Sequence, residues 1–200
     1  MNKPANTTLK ILDEIKNRWS PRAFSEKPVE PEKLERVFEA ARWSASCFNE
    51  QPWRFLVGIK GQDSVWDKIY GSLSEWNQKW CKSVPVLILL VSKNKFSRNN
   101  KFNAWAEYDL GQAAAYISIQ AMKAGLYTHQ MAGFNQTKAR ELLSIPDDFA
   151  LKTVMAIGYY GNADVLPQDM QKSEKGGRSR KELSAIVFSE QWNKKALFLH

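Results

Sequence analysis

The run Val84-Pro85-Val86-Leu87-Ile88-Leu89-Leu90-Val91 constrains this chain more than any other stretch. It is aliphatic almost throughout and about as long as one strand. A strand with one face in water alternates apolar and polar side chains, whereas a strand covered on both faces need not. The run therefore predicts a central strand over Val84 to Val91 with a layer of structure on each side. Supplying both layers takes a chain that can bury a sizeable core. Two hundred residues, 44% of them hydrophobic, meet that need within one domain, expected to span 1–200 with a core of about 8–188.

The covering elements are legible as helical periodicity. Leu9, Ile11, Leu12 and Ile15 gather on one side of a short helix predicted over Thr8 to Asn17. A second helix over Glu32 to Trp43 has Leu34, Val37, Phe38 and Ala41 at core spacing, with Pro31 acceptable in its first turn. Two further pieces, Ser64 to Leu73 and Glu75 to Cys81, precede the aliphatic run. Asn103 to Ala124 reads as one long helix of about 30 Å at 1.5 Å per residue. It is apolar on more than one face, which calls for sheet on one side and leaves room for a second subunit on another. Gln136 to Leu143 is another helix, stopped by Pro146. Arg54 to Lys60 and Leu151 to Tyr160 read as strands, Gly125 to Phe134 as a helix end and a short extended turn, Ser92 to Asn103 as a basic loop or lid, and Asn162 to Gly177 as a long polar loop.

Charge and cysteine usage narrow the function. The formal charge of +8 favours anionic partners without separating nucleic acid from a phosphorylated cofactor or a solvated basic face. The basic residues are dispersed and match no nucleic-acid-binding motif. Cys47 and Cys81 lack metal-ligand or disulfide-framework spacing, and only two histidines exist, so no metal site is expected. With no signal-peptide pattern or membrane-length apolar run, a soluble, cytoplasmic protein is expected, with no membrane or nucleic-acid partner. No GxGxxG or GxxxxGK[ST] pattern occurs, which removes the dinucleotide-binding and P-loop readings.

Four segments carry groups suited to a polar ligand. Ser46-Cys47-Phe48-Asn49-Glu50-Gln51-Pro52-Trp53-Arg54-Phe55 joins helix to strand and offers a hydroxyl and two carboxamides in six residues. Alone, such a segment is more often a capped loop. Arg18-Trp19-Ser20-Pro21-Arg22 flanks a hydroxyl with guanidinium groups where Pro21 ends a helix, an arrangement suited to phosphate but common at helix ends. Arg178-Ser179-Arg180 is a second set of such donors. In Ala132-Gly133-Phe134 the glycine lets backbone approach a ligand closely. His129 has no neighbours at ligand spacing and reads as structural.

Taken together and in order, these segments resemble the FMN-dependent nitroreductase family, over about Arg18 to Val187. The family's first motif is Arg-x-Ser-x-(Arg/Lys), matched by Arg18, Ser20 and Arg22. Its loop pattern small-Ser-Ser-x-Asn-x-Gln-Pro-Trp is matched at Ser46, Asn49, Gln51, Pro52 and Trp53, with Cys47 where a second Ser is common and Ala45 where a Pro is common. The resemblance implies an α+β fold with a central, mostly antiparallel sheet, and a homodimer joined through the long central helix. The tail 189–200 would wrap the partner subunit. It further implies FMN as cofactor and NAD(P)H as co-substrate. Arg18, Trp19, Ser20, Arg22, Arg178 and Arg180 would lie along the phosphate, ribityl chain and pyrimidine edge. Ser46, Cys47, Phe48, Asn49 and Gln51 would come from the other chain. Asn77, Lys79, Gln130, Met131, Ala132 and Gly133 would lie near the ring, with the Gly133 backbone facing N5. No protein catalytic residue is assigned, because the cofactor carries the chemistry. Ala132 stands where some members have Glu before the glycine, which argues against a protein carboxylate as proton source there. The expected reaction is ping-pong reduction of a nitroaromatic, quinone or similar electron-poor acceptor. Dehalogenation or flavin breakdown on the same fold is the alternative, and a basic nucleic-acid-binding domain the contrasting one. The short lid suggests an open, less selective pocket.

Overall fold

A computed structural model describes residues 3–199. The predicted central strand is β2, Val86–Lys93, and it lies inside the four-stranded sheet β1-β2-β4-β3. Here β1 is Trp53–Ile59, β3 Tyr127–Met131 and β4 Phe149–Gly158. Every pairing in the sheet is antiparallel. β2 starts two residues later than the sequence reading because Pro85 has no N–H to give to a ladder. From Val86 to Ser92 every side chain is buried.

Odd and even positions of β2 serve different layers, as the strand period of two requires. Leu87, Leu89 and Val91 pack with Trp66 and Ile69 of α3 (Ser64–Ser72), Trp80 and Cys81 of α4 (Glu75–Cys81) and Ala139 of α6 (Gln136–Leu143). Val86, Ile88 and Leu90 pack with Leu34, Val37 and Ala41 of α2 (Pro31–Arg42) and with Leu110, Ala113 and Ile117 of α5 (Ala106–Lys123). The result is a helix-sheet-helix sandwich of α+β class. α3, α4 and α6 each begin with a side-chain cap, from Asp63, Ser74 and Asn135 respectively.

Three expectations are corrected. The first helix, α1, covers only Asp13–Asn17, and Leu9, Ile11, Leu12 and Ile15 are exposed rather than gathered against a core. No side chain caps its start, Leu12 is extended, and a short helix without a packed face has little to stabilise it. The polar stretch 162–177 is not a loop: it holds a 3-10 turn, Ala163–Val165, and a helix, α7, Gln168–Lys175. α7 buries Met170 and Glu174, four residues apart on one face. The extended turn after Gly125 is a strand, β3, at the sheet edge.

The long helix α5 buries Leu110, Ala113, Ala114, Ile117 and Ala121, while Tyr108 and Tyr116 stand exposed. The tail from Leu183 leaves Leu183, Ile186, Trp192, Leu197 and Phe198 in solvent around a small bridge between Phe188 and Lys195. Among the described residues, no helix is long and apolar enough to cross a membrane.

Where β1 meets α3 the backbones touch: a Cβ on Gly58 would lie 2.3 Å from the Trp66 nitrogen and 2.5 Å from its Cα. Neither neighbour is a flexible side-chain end, so the helix would have to move away. Gly58→Ala is therefore expected to destabilise by about 2–3 kcal/mol, as other overpacked sites do, lowering Tm by roughly 4–10 °C. Thermal unfolding followed by circular dichroism checks this, and an unchanged Tm would mean that β1 and α3 are not in contact.

Candidate cofactor site

Sequence and sheet order divide the expected site residues into three groups. The first forms along the β3 edge. After α1 the chain turns at Pro21 and runs beside β3, where the His129 ring bonds the Pro21 carbonyl through Nδ1 at 2.8 Å. A carbonyl only accepts, so Nδ1 carries the proton. Burial pushes the His129 pKa down to about 4 and the ring lies tilted against Trp80, so it serves as a neutral brace.

Arg18, Arg178 and Arg180 converge here although about 160 residues separate them in the chain. Arg18 has its pKa lowered first by burial and then by the charges of Arg178 and Arg180, and Arg178 is lowered by burial and by Arg180. Arg18 also donates to the Ser20 hydroxyl at 3.4 Å. Among the described residues, none of the three guanidinium groups has a carboxylate partner. Three like charges held together without a counter-ion form a site for a multiply charged anion. Arg178 is partly committed, donating to the carbonyls of Lys3 at 2.6 Å and Lys16 at 3.0 Å. Arg22 reaches the Ser173 hydroxyl at 3.4 Å. Trp19, expected to touch the ligand, buries its ring against Tyr127 and Tyr160, with the Lys3 ammonium 4.2 Å from its centroid.

The second group sits at the far end of β3. Gly133 lies four residues beyond His129, about 13 Å at strand rise. Its carbonyl accepts from the Ser74 N–H at 2.9 Å and from the Asn77 carboxamide at 2.9 Å. Among the described residues no acceptor takes the Gly133 N–H. A Cβ at this position would come within 2.9 Å of Asn77 Nδ2 and 3.0 Å of Ser74 Oγ, so glycine is what the packing admits. Asn77 is largely buried; its oxygen accepts from Trp80 Nε1 at 3.3 Å, which fixes the carboxamide whose nitrogen holds the Gly133 carbonyl. Met131 faces the core beside Cys81, whereas Gln130 and Ala132 are exposed. Lys79 lies on the outer face of α4, over the exposed Trp76 ring.

The third group, the loop between α2 and β1, is at the opposite sheet edge, three strand spacings or about 14 Å from β3. Within one chain the structure does not bring it to the other two groups. Its backbone is unusual: Phe48, Asn49 and Gln51 have φ of +54°, +55° and +52°. Non-glycine residues pay about 1–2 kcal/mol for that region, and Asn alone of the three is tolerant of it. The shape is held from outside. The buried Asp109 carboxylate of α5 accepts the Cys47 N–H at 3.0 Å, and the Ser46 hydroxyl accepts the Gln51 N–H at 3.0 Å. Glu50 accepts from the Ser97 N–H and hydroxyl at 2.8 and 2.7 Å. The Arg98 guanidinium stacks 3.9 Å from the exposed Phe48 ring. The basic segment 94–103 is thus a bridged hairpin bound to the loop, closed by the Lys95–Phe102 pairing.

The residues that sequence reasoning missed are Asp109 and Glu174, both buried carboxylates that grip backbone N–H groups. An acid on the stripe of α5 shared with Ala106, Leu110 and Ala113, and one four residues after Met170, were the available signals. Among the described residues no group of three His, Cys, Asp or Glu side chains is placed to hold a metal ion.

Comparison with known proteins bears on the family and the fold. The sequence model described as Nitroreductase family matches residues 15–75 and 61–159. A solved structure described as an oxidoreductase containing FMN superimposes with a TM-score of 0.88 at 31% identity, covering 95% of this chain and 96% of that one. A putative NADH dehydrogenase/NAD(P)H nitroreductase of Archaeoglobus fulgidus is 26% identical over 155 residues, 74% of this chain and 84% of the relative. An iodotyrosine deiodinase of Thermotoga neapolitana is 23% identical over 170 residues, 74% of this chain and 88% of the relative. With its central antiparallel sheet, its arginine cluster and the family model matched over most of its length, this chain belongs to the nitroreductase family.

Proposed function

We propose that this protein is an FMN-dependent oxidoreductase that takes reducing equivalents from NAD(P)H and delivers them to electron-poor acceptors such as nitroaromatics or quinones. The observation that carries the reading is the cluster of Arg18, Arg178 and Arg180 without a carboxylate partner among the described residues, beside the edge strand β3 that leads to the Gly133 N–H. A cofactor with a dianionic phosphate at one end and a hydrogen-bond-accepting ring at the other matches that spacing of donors. FMN, when bound, supplies hydride transfer from the nicotinamide and on to the acceptor. Arg18, Ser20, Arg178 and Arg180 hold the phosphate by charge-assisted bonds. The Gly133 N–H offers a fixed donor to the ring, and its aim is kept by Asn77 and Ser74. Ala132 places no carboxylate beside that amide, so protons come from water or from the substrate itself.

A homodimer completes the site in this reading. The loop Ser46–Gln51 lies across the sheet from the arginines of its own chain, and a second copy supplies it to them. The exposed Tyr108 and Tyr116 of α5, together with the apolar tail, form the surface that pairing covers. Reductive dehalogenation is a second reading, favoured by the similarity to the Thermotoga deiodinase. Product analysis with a nitroaromatic and an iodinated phenol separates the two.

The first test is spectroscopic. Purified protein is expected to be yellow, with flavin absorbance that bleaches on anaerobic addition of NADH or NADPH and returns on adding a quinone. Colourless protein that takes up no added FMN would reject the assignment. The second test concerns the phosphate. Arg18→Ala combined with Arg180→Ala removes two charge-assisted contacts worth about 1.5–3 kcal/mol each, so FMN affinity is expected to fall by at least about 100-fold with the circular dichroism spectrum unchanged. Wild-type affinity in this double variant would remove the arginines from the site.

A further inference from the structure

We propose that Glu174 is a positioning residue for the phosphate end of the cofactor, acting through the backbone of Arg22 and Ala23. The proposal rests on the arginine cluster being the phosphate site and names what holds that cluster in shape. Glu174 is 1% exposed, although an ionised carboxylate is among the costliest groups to bury. Among the described residues it has no ion-pair partner. Its oxygens are met instead by the chain carrying the first motif. Oε1 accepts the N–H of Arg22 and of Ala23, each at 3.1 Å, and Oε2 accepts the Arg22 N–H at 3.0 Å. With those two amides turned inward to one carboxylate, the Arg22–Ala23 backbone that follows Ser20 is held in one orientation.

The same helix sets the other half of the cluster. α7 ends at Lys175, and Arg178 follows within three residues. The Lys3 ammonium bonds the Glu174 carbonyl at 2.6 Å, while Arg178 bonds the Lys3 and Lys16 carbonyls. The strap 174–178 is therefore tied both to the residues before Arg18 and to those after Ser20. Glu174 lies at the crossing of the two segments whose guanidinium groups must converge. A carboxylate suits this place because both its oxygens accept. The amide of a glutamine has one accepting oxygen, and its NH2 would face a backbone N–H.

Riboflavin lacks the phosphate, so a residue that acts only by shaping the phosphate grip affects FMN and leaves riboflavin alone. The experiment is fluorescence titration of the flavin-stripped full-length protein with FMN and with riboflavin, for wild type and Glu174→Gln. The expected result is an FMN affinity lowered by about 10- to 100-fold, the effect of a misplaced charge-assisted bond, with riboflavin affinity within about twofold of wild type. Equal loss for both ligands would make Glu174 merely structural and overturn the proposal, as would an unchanged FMN affinity. A wild type that binds FMN no better than riboflavin would overturn the phosphate reading itself, and this one with it. Should Glu174→Gln not fold, Glu174→Asp keeps the charge one methylene short. It is expected to lower the FMN-over-riboflavin preference several-fold, and a wild-type preference there overturns the proposal.

Discussion

Burial of β2 on both faces is the constraint from which the rest of the structure follows. Seven consecutive side chains, Val86 to Ser92, have no contact with solvent, and each fully buried aliphatic contributes about 1.5–3 kcal/mol. That requirement places α2 and α5 on one side of the sheet and α3, α4 and α6 on the other. It also decides where a polar ligand can go. Along β2 both sheet faces are covered by apolar side chains, so polar donors collect where backbone emerges: along the β3 edge, at the turn after Met131, and in the loop that feeds β1. The candidate site occupies those places.

The link between the apolar framework and the polar rim is made by two carboxylates. Asp109 projects from the buried side of α5 to the Cys47 N–H, and Glu174 projects from α7 to the N–H groups of Arg22 and Ala23. Neither pairs with a cation among the described residues. A buried ion pair recovers its desolvation cost only with excellent geometry, and an arginine partner would bring positive charge inward, away from the cluster that needs it. Backbone amides hold the carboxylate without redirecting the cations. His129 does the same for the Pro21 carbonyl as a neutral donor, its charged form disfavoured by burial.

What could be read from the sequence was whatever a local period or a short motif encodes. α4 and α6 fall at the residues that helical spacing indicates, and α2 within one residue, because each combines a start signal with an apolar stripe. β2 was legible because a doubly buried strand has no competing pattern at that length. α1 was over-read: Leu9 to Ile15 has helical spacing, but spacing alone does not supply a surface to pack on, and those side chains remain in water. α7 was under-read for the opposite reason, since only Met170 and Glu174 face inward and one of them is charged. In the site, Arg18, Ser20, Arg178 and Arg180 were named from their types and order, and the structure brings the three arginines into each other's electrostatic reach. The use of Asn77 to fix the Gly133 carbonyl depends on α4 meeting the turn after β3, a contact across 56 residues that no local pattern contains.

The loop before β1 joins these levels. Phe48, Asn49 and Gln51 all sit in the left-handed region, where Phe48 and Gln51 together store on the order of 2–4 kcal/mol. A free loop would relax, so the conformation exists only because its surroundings over-determine it. Asp109 ties it to the helix that packs on the sheet, and Pro52 and Trp53 lead it straight into β1. Glu50 and Phe48 tie it to the basic hairpin 94–103 through Ser97 and Arg98. The hairpin itself leaves β2 at Lys93, whose N–H bonds the Pro52 carbonyl. Loop and hairpin therefore form one rim tied to α5, β1 and the fully buried β2. Rigidity of that kind has a direct bearing on recognition, because groups fixed in place before a ligand arrives lose less freedom on binding it. The strain in the rim is stabilised by the same core that excludes the ligand from the sheet.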